Sequence, residues 1–207
     1  MIVYRLNSGC GRPAFTVVEL LIVVAIVAVL LSLLVPVCAT GLAMARQAAC
    51  LTNLRCLATA VKLYTGDHRG MYPRAWTNDS CRWMDLLKPY VDKSAEVYCC
   101  PSDDERVPLA WDDEIIMSYG INCFRFKDDT HCFWYGVSTI GVKRPGETIL
   151  LADCTPGTYY VGGGKRFREP VSGVDYRHVD ESFNAVFCDG HAENLKTTTQ
   201  EDWDASQ

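Results

Sequence analysis

Phe15-Thr16-Val17-Val18-Glu19-Leu20-Leu21 opens a run that stays apolar to Val37, FTVVELLIVVAIVAVLLSLLVPV over residues 15–37. About twenty such residues are enough to cross a bilayer as a helix. The run carries one charge, Glu19. A lone carboxylate inside lipid costs about 2.5–3.5 kcal/mol on insertion scales unless it finds a partner. The helical pattern does not stop at the end of the run. Ala39 to Tyr64 is rich in Ala and Leu and has no Pro, and Leu54, Leu57, Val61 and Tyr64 recur at spacings of three and four. That spacing predicts one apolar helix face, with Arg46, Arg55 and Lys62 on the more polar side. Gly66 and Gly70 are the expected stop. A helix from Phe15 to Thr65 is about 75 Å long at about 1.5 Å per residue, against a mean of about twelve residues for globular helices. Its first half fits a membrane, and its second half has to pack on a head domain.

Working outward, residues 1–14 hold Arg5 and Arg12 and no acid, and read as a short basic leader ending Gly11-Arg12-Pro13-Ala14. A plain membrane anchor accounts for the apolar run and leaves Glu19 unexplained. A secretory signal peptide, with Ala43-Met44-Ala45 as its small-residue cleavage site, requires an apolar core of about 7–15 residues, shorter than the run here. A lipoprotein site at Cys38 is poor, because bulky Val37 precedes it.

Composition bounds the rest. The chain has 207 residues, 49% hydrophobic and 22% charged, which argues against disorder throughout. The net charge of −5 becomes −7 without residues 1–14. Phosphate binding needs clustered Lys and Arg, so nucleic acid is not an expected partner. Eleven cysteines include no Cys-x-x-Cys pair, so zinc-knuckle spacing is absent. Disulfides in an oxidising compartment are the alternative, and Cys38, in or next to the apolar run, reads as a packed free thiol.

Beyond Met71, aromatics, Gly, Pro and acidic pairs dominate. Asp85 to Val91 reads as a short helix. Ile115-Ile116-Met117, Phe133 to Ile140 and Thr148 to Ala152 read as strands. Phe183 to Cys188 and His191 to Lys196 flank Asp189-Gly190, which predicts a hairpin with a type I′ turn.

The segment Ala14-Phe15-Thr16-Val17-Val18-Glu19-Leu20-Leu21 closely resembles the prepilin-type cleavage and methylation motif of type IV pilins and type II secretion pseudopilins. In that family a dedicated peptidase cuts before a Phe on the cytoplasmic side and methylates the new amine. The resemblance puts the cut between Ala14 and Phe15 and the methyl group on Phe15. Glu19 then stands fifth from the new N-terminus, where the family carries its glutamate, and Pro36 twenty-second, where its helices often carry a proline. The departure is Ala14, since the family prefers Gly before the cut. The family's model pairs the glutamate with the terminal amine of a neighbouring subunit. Such a buried pair can set the register of subunits, and head-to-tail contacts that do not close generate filaments.

Further blocks resemble secretion protein G-like sequences: Ala49-Cys50-Leu51-Thr52-Asn53-Leu54, Tyr64, Tyr72-Pro73, Cys100-Pro101-Ser102-Asp103, Ser118-Tyr119-Gly120-Ile121-Asn122 and Phe187-Cys188-Asp189-Gly190-His191. Cys50 and Cys100 both lie in these blocks and are the candidate disulfide, a bridge that would staple helix to head at about 2–4 kcal/mol.

Other constellations are weaker. His178, Asp189 and His191 are candidate metal ligands; the plainer explanation is a tight turn at Asp189-Gly190 that His191 orients. The acidic pairs Asp103-Asp104, Asp112-Asp113 and Asp128-Asp129 are candidate calcium ligands by the resemblance to calcium-binding major pseudopilins, although the spacing is not that of an EF-hand. Trp76, Trp83, Trp111, Trp134 and Tyr159-Tyr160 read as core aromatics before they read as a sugar platform. Gly162-Gly163-Gly164-Lys165 lacks the full phosphate-loop spacing and reads as a loop.

The expected protein is α+β: a leader over 1–14, a transmembrane helix over 15–37, an amphipathic extension over 38–66 and a pilin-like head over 67–207 with a small antiparallel sheet. The resemblance implies a structural subunit, not an enzyme and without a required cofactor, in the inner membrane with its N-terminus cytoplasmic and its head periplasmic. Its implied partners are the prepilin peptidase/methyltransferase, other pseudopilin subunits, the secretion-system inner-membrane platform and the lipid bilayer. Two readings from other classes stand beside it: an anchored glycan-binding or metal-binding module that does not assemble, and a metal-dependent hydrolase built on the C-terminal histidines.

Overall fold

The computed structural model describes residues 16–78, 81–91, 95–109, 112–124, 133–162 and 173–206. Ala14 and Phe15, Trp111, the pair Asp128-Asp129 and residues 163–165 lie outside the described residues, as do the side chains of 112–115. The chain divides into two compact units, Met1–Gly41 and Leu42–Gln207.

Helix α1 spans Val17–Asp67 with Pro36 inside it. Thr16 caps its start. The Glu19 N–H donates to Thr16 Oγ1 at 3.2 Å, and the Thr16 N–H donates back to Glu19 Oε2 at 2.9 Å. This is a capping box, in which two otherwise unpaired donors of the first turn are satisfied reciprocally. Every large apolar side chain from Val17 to Val37 is exposed. The helix is long and apolar enough to cross a membrane, and none of its most apolar stretch is buried within the protein. Cys38 is a free thiol, but it is exposed rather than packed. In the second unit α1 buries Cys50, Leu54, Leu57, Ala58, Val61 and Tyr64, the face expected from the spacing. Gly66 does not stop the helix. The Gly70 N–H donates to Thr65 O at 2.8 Å across Arg69, whose φ is +54°. This left-handed cap satisfies the last carbonyls.

The head carries β1 (Trp76–Asn78), β2 (Cys81–Arg82), helix α2 (Trp83–Leu87), β3 (Pro108–Leu109), β4 (Asp112–Ile116), β5 (Tyr119–Asn122), β6 (Ile149–Asp153), β7 (Tyr160–Val161), β8 (Phe183–Phe187) and β9 (Ala192–Leu195). Among the described residues the main sheet is ordered β7-β5-β6-β8-β9, and β1-β2 and β3-β4 are separate two-stranded ribbons. The fold class is α+β. The sheet is mixed rather than purely antiparallel, because β7 runs parallel to β5. Gly120 explains the contact: a Cβ there would stand 2.7 Å from the carbonyl carbon of Tyr160, so only glycine lets the two backbones approach this closely.

One sheet face packs on α1. Tyr119, Ile121, Leu151 and Val186 share a core with Leu54, Leu57 and Val61, while Ile149, Ala152, Phe183, Ala185 and Phe187 pack on the opposite side with Trp203. The register of β6 against β8 shifts between Ile149 and Leu151. Such an irregularity breaks strict alternation, and Leu150 and Leu151 both join the helix-side core.

Four local expectations are corrected. Phe133 to Ile140 is not a strand. Its backbone pairs singly with residues 70–75, through Tyr72 N to Val137 O and Ala75 N to Phe133 O at 2.9 Å each, and Gly136 at φ +102° breaks the run. The short helix sits at Trp83–Leu87, ahead of the predicted Asp85 to Val91, and of Ile115-Ile116-Met117 only Ile115-Ile116 are strand, as the end of β4. The β8–β9 hairpin forms, but not on a type I′ turn. The Gly190 N–H donates to Phe187 O and the Phe187 N–H to His191 O, both at 2.9 Å, and Gly190 alone of the pair Asp189-Gly190 has positive φ. This is the three-residue loop that ends in a left-handed residue.

Candidate functional site

The sheet face against α1 is not wholly apolar. Asp153 at the end of β6 and Asn184 in β8 are fully buried, and both reach toward α1 where it presents Cys50. The antiparallel ladder brings β6 beside β8, and the Asn184 N–H donates to Asp153 Oδ2 at 2.6 Å. Cys100 arrives from the loop after residues 95–98, which Asn53 pins to α1 through Nδ2 to Cys99 O at 3.0 Å. His178 arrives from a tight turn closed by its N–H to Ser182 O, with Asp180 and Glu181 both at positive φ.

These four segments bring one ligand-type atom each from Cys50, Cys100, Asp153 and His178 to within 4.8 Å of one another, all four residues buried. Cys50 Sγ lies 3.4 Å from Asp153 Oδ1, Cys100 Sγ 3.7 Å from His178 Nε2, and His178 Nε2 3.0 Å from Asp153 Oδ2. Both cysteines are free thiols. Burial pushes the Cys50 thiol up, while Cys100 is pulled down, first by the hydrogen bond from Cys50 and then by His178. Burial alone would lower His178; its contacts with Asp153 and Cys100 together outweigh this and raise it to about 9. Tyr119, also buried, holds its hydroxyl against the Cys50 thiol without hydrogen-bond geometry, and His178 Nδ1 has no hydrogen-bond partner among the described residues.

A Cys–His–Asp set invites a nucleophilic reading, but the geometry is wrong for it. In a catalytic triad the base faces the nucleophile with one ring nitrogen and the carboxylate with the other. Here thiol and carboxylate both meet Nε2, Nδ1 has no hydrogen-bond partner among the described residues, and the four residues are buried. Convergence on one nitrogen fits shared coordination of a single centre instead.

Beside the cluster, Arg177 anchors a second buried network. Its guanidinium contacts Asp103 Oδ2 and Asp175 Oδ2 at 2.8 Å each and donates to Cys154 O. Burial would raise Asp103; the Ser118 hydroxyl, Arg177 and the Arg106 N–H more than offset this and hold it below the ordinary carboxylate range.

The residues expected from sequence separate as follows. Ala14 and Phe15 lie outside the described residues, and Glu19 sits in the first turn of α1, engaged with Thr16. Cys50 and Cys100 are brought together, but as free thiols and not as the expected disulfide. The grouping of His178 with Asp189 and His191 does not form among the described residues: Asp189 Oδ1 pairs with His191 Nδ1 at 2.6 Å on the exposed hairpin loop, and His178 joins the buried cluster. Asp103 is spent on Arg177 and Ser118. Trp83 is core, its Nε1–H donating to Tyr159 O at 2.7 Å, and Trp76, Trp134 and Tyr160 meet edge to face. Asp153 was not anticipated, because it closes the apolar run Ile149-Leu150-Leu151-Ala152. The Thr16-x-x-Glu19 capping box was legible in the sequence and also passed over. Compared with protein-family models, curated proteins and solved structures, the chain matches none.

Proposed function

We propose that this chain is a pilin-like, membrane-anchored structural subunit that assembles into a type II secretion pseudopilus or a related filament. The observation that carries the reading is helix α1: its first part exposes apolar side chains on every side with a single carboxylate in the first turn, and its later part buries one face in the head. A subunit that leaves a bilayer and enters a filament needs that division, because lipid and neighbouring helices can cover the first part in turn while the head stays folded. A prepilin peptidase is the processing enzyme in this reading, the inner membrane is the anchor, and the head faces the periplasm. Glu19 has two duties here: it closes the capping box within its own chain and presents its charge to the terminal amine of a neighbour. The secretion platform and other pseudopilins are the expected partners.

The test is the N-terminus of the protein extracted from membranes. Mass spectrometry should find Phe15 as the first residue, carrying a methyl group. An N-terminus after Ala39 or Ala45 overturns the reading in favour of an ordinary signal peptide, and retention of residues 1–14 favours a plain anchor.

A further inference from the structure

We propose that Cys50, Cys100, Asp153 and His178 form a closed, structural site for a zinc-class divalent transition-metal ion that ties α1 to the sheet and to the two loops above it. The inference holds whether or not the chain assembles. Four ligands held about 2.0–2.3 Å from a tetrahedral zinc ion stand about 3.3–3.8 Å from one another. Cys100 Sγ stands 3.7 Å from His178 Nε2, Asp153 offers either Oδ2 at 3.0 Å from that nitrogen or Oδ1 at 3.4 Å from Cys50 Sγ, and one such atom from each residue lies within 4.8 Å of the others, close to that spacing. Two thiols and an imidazole are soft to borderline donors, which select zinc over calcium or magnesium. Four protein ligands with no open side describe a structural site rather than a catalytic one.

The hydrogen bonding points the same way. Asn184 is held in one orientation, its Nδ2 donating to Gln47 O at 3.2 Å and its Oδ1 accepting from Asn194 at 2.9 Å. That places an N–H donor 3.0 Å from His178 Nε2, a contact that suits a lone pair on Nε2 when that nitrogen carries no proton. The same lone pair faces the Asp153 carboxylate at 3.0 Å. Two electron-rich atoms at that distance require a positive charge between them, a proton on Nε2 when the site is empty of metal or a metal ion when it is loaded. A metal ion supplies it, displaces the two thiol protons and leaves Cys50 as a thiolate facing the buried Tyr119 hydroxyl. Metal ligation leaves the ring proton on His178 Nδ1. The charge of two thiolates and one carboxylate exceeds that of the ion by one, and the Arg177 guanidinium, which also holds Asp103 and Asp175, lies near enough to feel Asp153 and Cys100.

The experiment uses the full chain, extracted in detergent under mild reductant, with Zn2+ alone and Co2+ alone as probes. Elemental analysis should find about one zinc per chain. Co2+ should give the visible bands of a tetrahedral ion together with thiolate-to-cobalt charge transfer. Alkylation mapped by mass spectrometry should find Cys50 and Cys100 protected by the ion and released by a chelator. Cys100→Ser should weaken binding by about 100-fold or more, since even outer partners of a ligand are worth about 10–100-fold. The wild-type readouts decide the matter should that variant fail to fold. A folded wild-type chain that binds neither ion overturns the proposal. So does cobalt bound without thiolate charge transfer, or a Cys50–Cys100 disulfide as the main species in protein isolated without reductant.

Discussion

Asp103→Asn tests whether the buried ionic network holds the head together. The substitution keeps the shape of the side chain and removes its charge. Asp103 receives the Ser118 hydroxyl on Oδ2 at 2.7 Å and the Arg106 N–H on Oδ1 at 3.2 Å, and Arg177 approaches Oδ2 at 2.8 Å. An asparagine has one acceptor oxygen, so at least one of these donors would face an amide N–H. The side chains of Arg177 and Asp103 are only 7% and 3% exposed, so water cannot replace the lost partner. Breaking such a buried pair costs about 3–5 kcal/mol. Asp175 still holds the other guanidinium nitrogen, which puts the expected loss near the lower end, about 3 kcal/mol. At about 2–4 °C per kcal/mol for a domain of this size, melting should fall by about 6–12 °C. The assay is thermal unfolding of the full chain in detergent, followed by near-ultraviolet circular dichroism. The pH dependence supplies the sign. A carboxyl lowered in the folded state contributes stability above its unfolded pKa, about 3.9, and loses it as pH falls through the folded value. The gap between wild type and Asp103→Asn should therefore be full at pH 7 and close below about pH 4. Melting within about 2 °C of wild type at pH 7, or a gap that persists unchanged into strong acid, would refute the reasoning.

Glu19 separates into two roles by substitution. Glu19→Gln keeps a capping-box partner and removes the charge, while Glu19→Val also loses about 1 kcal/mol of cap; both should stay in the membrane fraction and both should lose intersubunit crosslinks. Wild-type crosslinking in Glu19→Gln would leave Glu19 as a helix cap only. Gly120→Ala forces a Cβ to within 2.7 Å of the β7 backbone and should part β7 from β5, seen as faster amide exchange at Ile121 and Cys123; unchanged exchange there counts against the parallel contact. Leu54→Ala in the fully buried face of α1 should cost about 2–5 kcal/mol in the same melting assay, and a loss under about 1 kcal/mol would mean that α1 is not packed on the head.

The helix and the hairpin were legible in the sequence because each rests on a local pattern: an unbroken apolar run with a three-and-four spacing, and two β-rich runs around Asp189-Gly190. What failed locally failed for tertiary reasons. Phe133 to Ile140 has strand-like residues, but its backbone partners are the irregular residues 70–75, and Gly136 turns it. β5 is too short and too broken by Gly120 to show a strand pattern in sequence, and the glycine is there to admit β7. The buried cluster could not be read as one site, since its members come from positions 50, 100, 153 and 178 on four separate segments. Cys50 and Cys100 were paired through resemblance. His178 was noticed and grouped with its sequence neighbours near the hairpin, and Asp153 was hidden at the end of an apolar strand.

The contacts that close the head span most of the chain: Cys50 to Asp153 is 103 residues apart, Tyr72 to Cys188 116, and Gln47 to Asn184 137. During synthesis, α1 is complete long before β8 exists. At about 5–20 residues per second, the interval between Gln47 and Asn184 is roughly 7–27 seconds. Throughout it, Leu54, Leu57, Val61 and Tyr64 have no sheet to cover them. A nascent chain of this design therefore carries an apolar helix face without its native cover for many times longer than a local helix–helix contact takes to form. It has to be shielded meanwhile, by the bilayer surface or by a chaperone, before the C-terminal strands arrive.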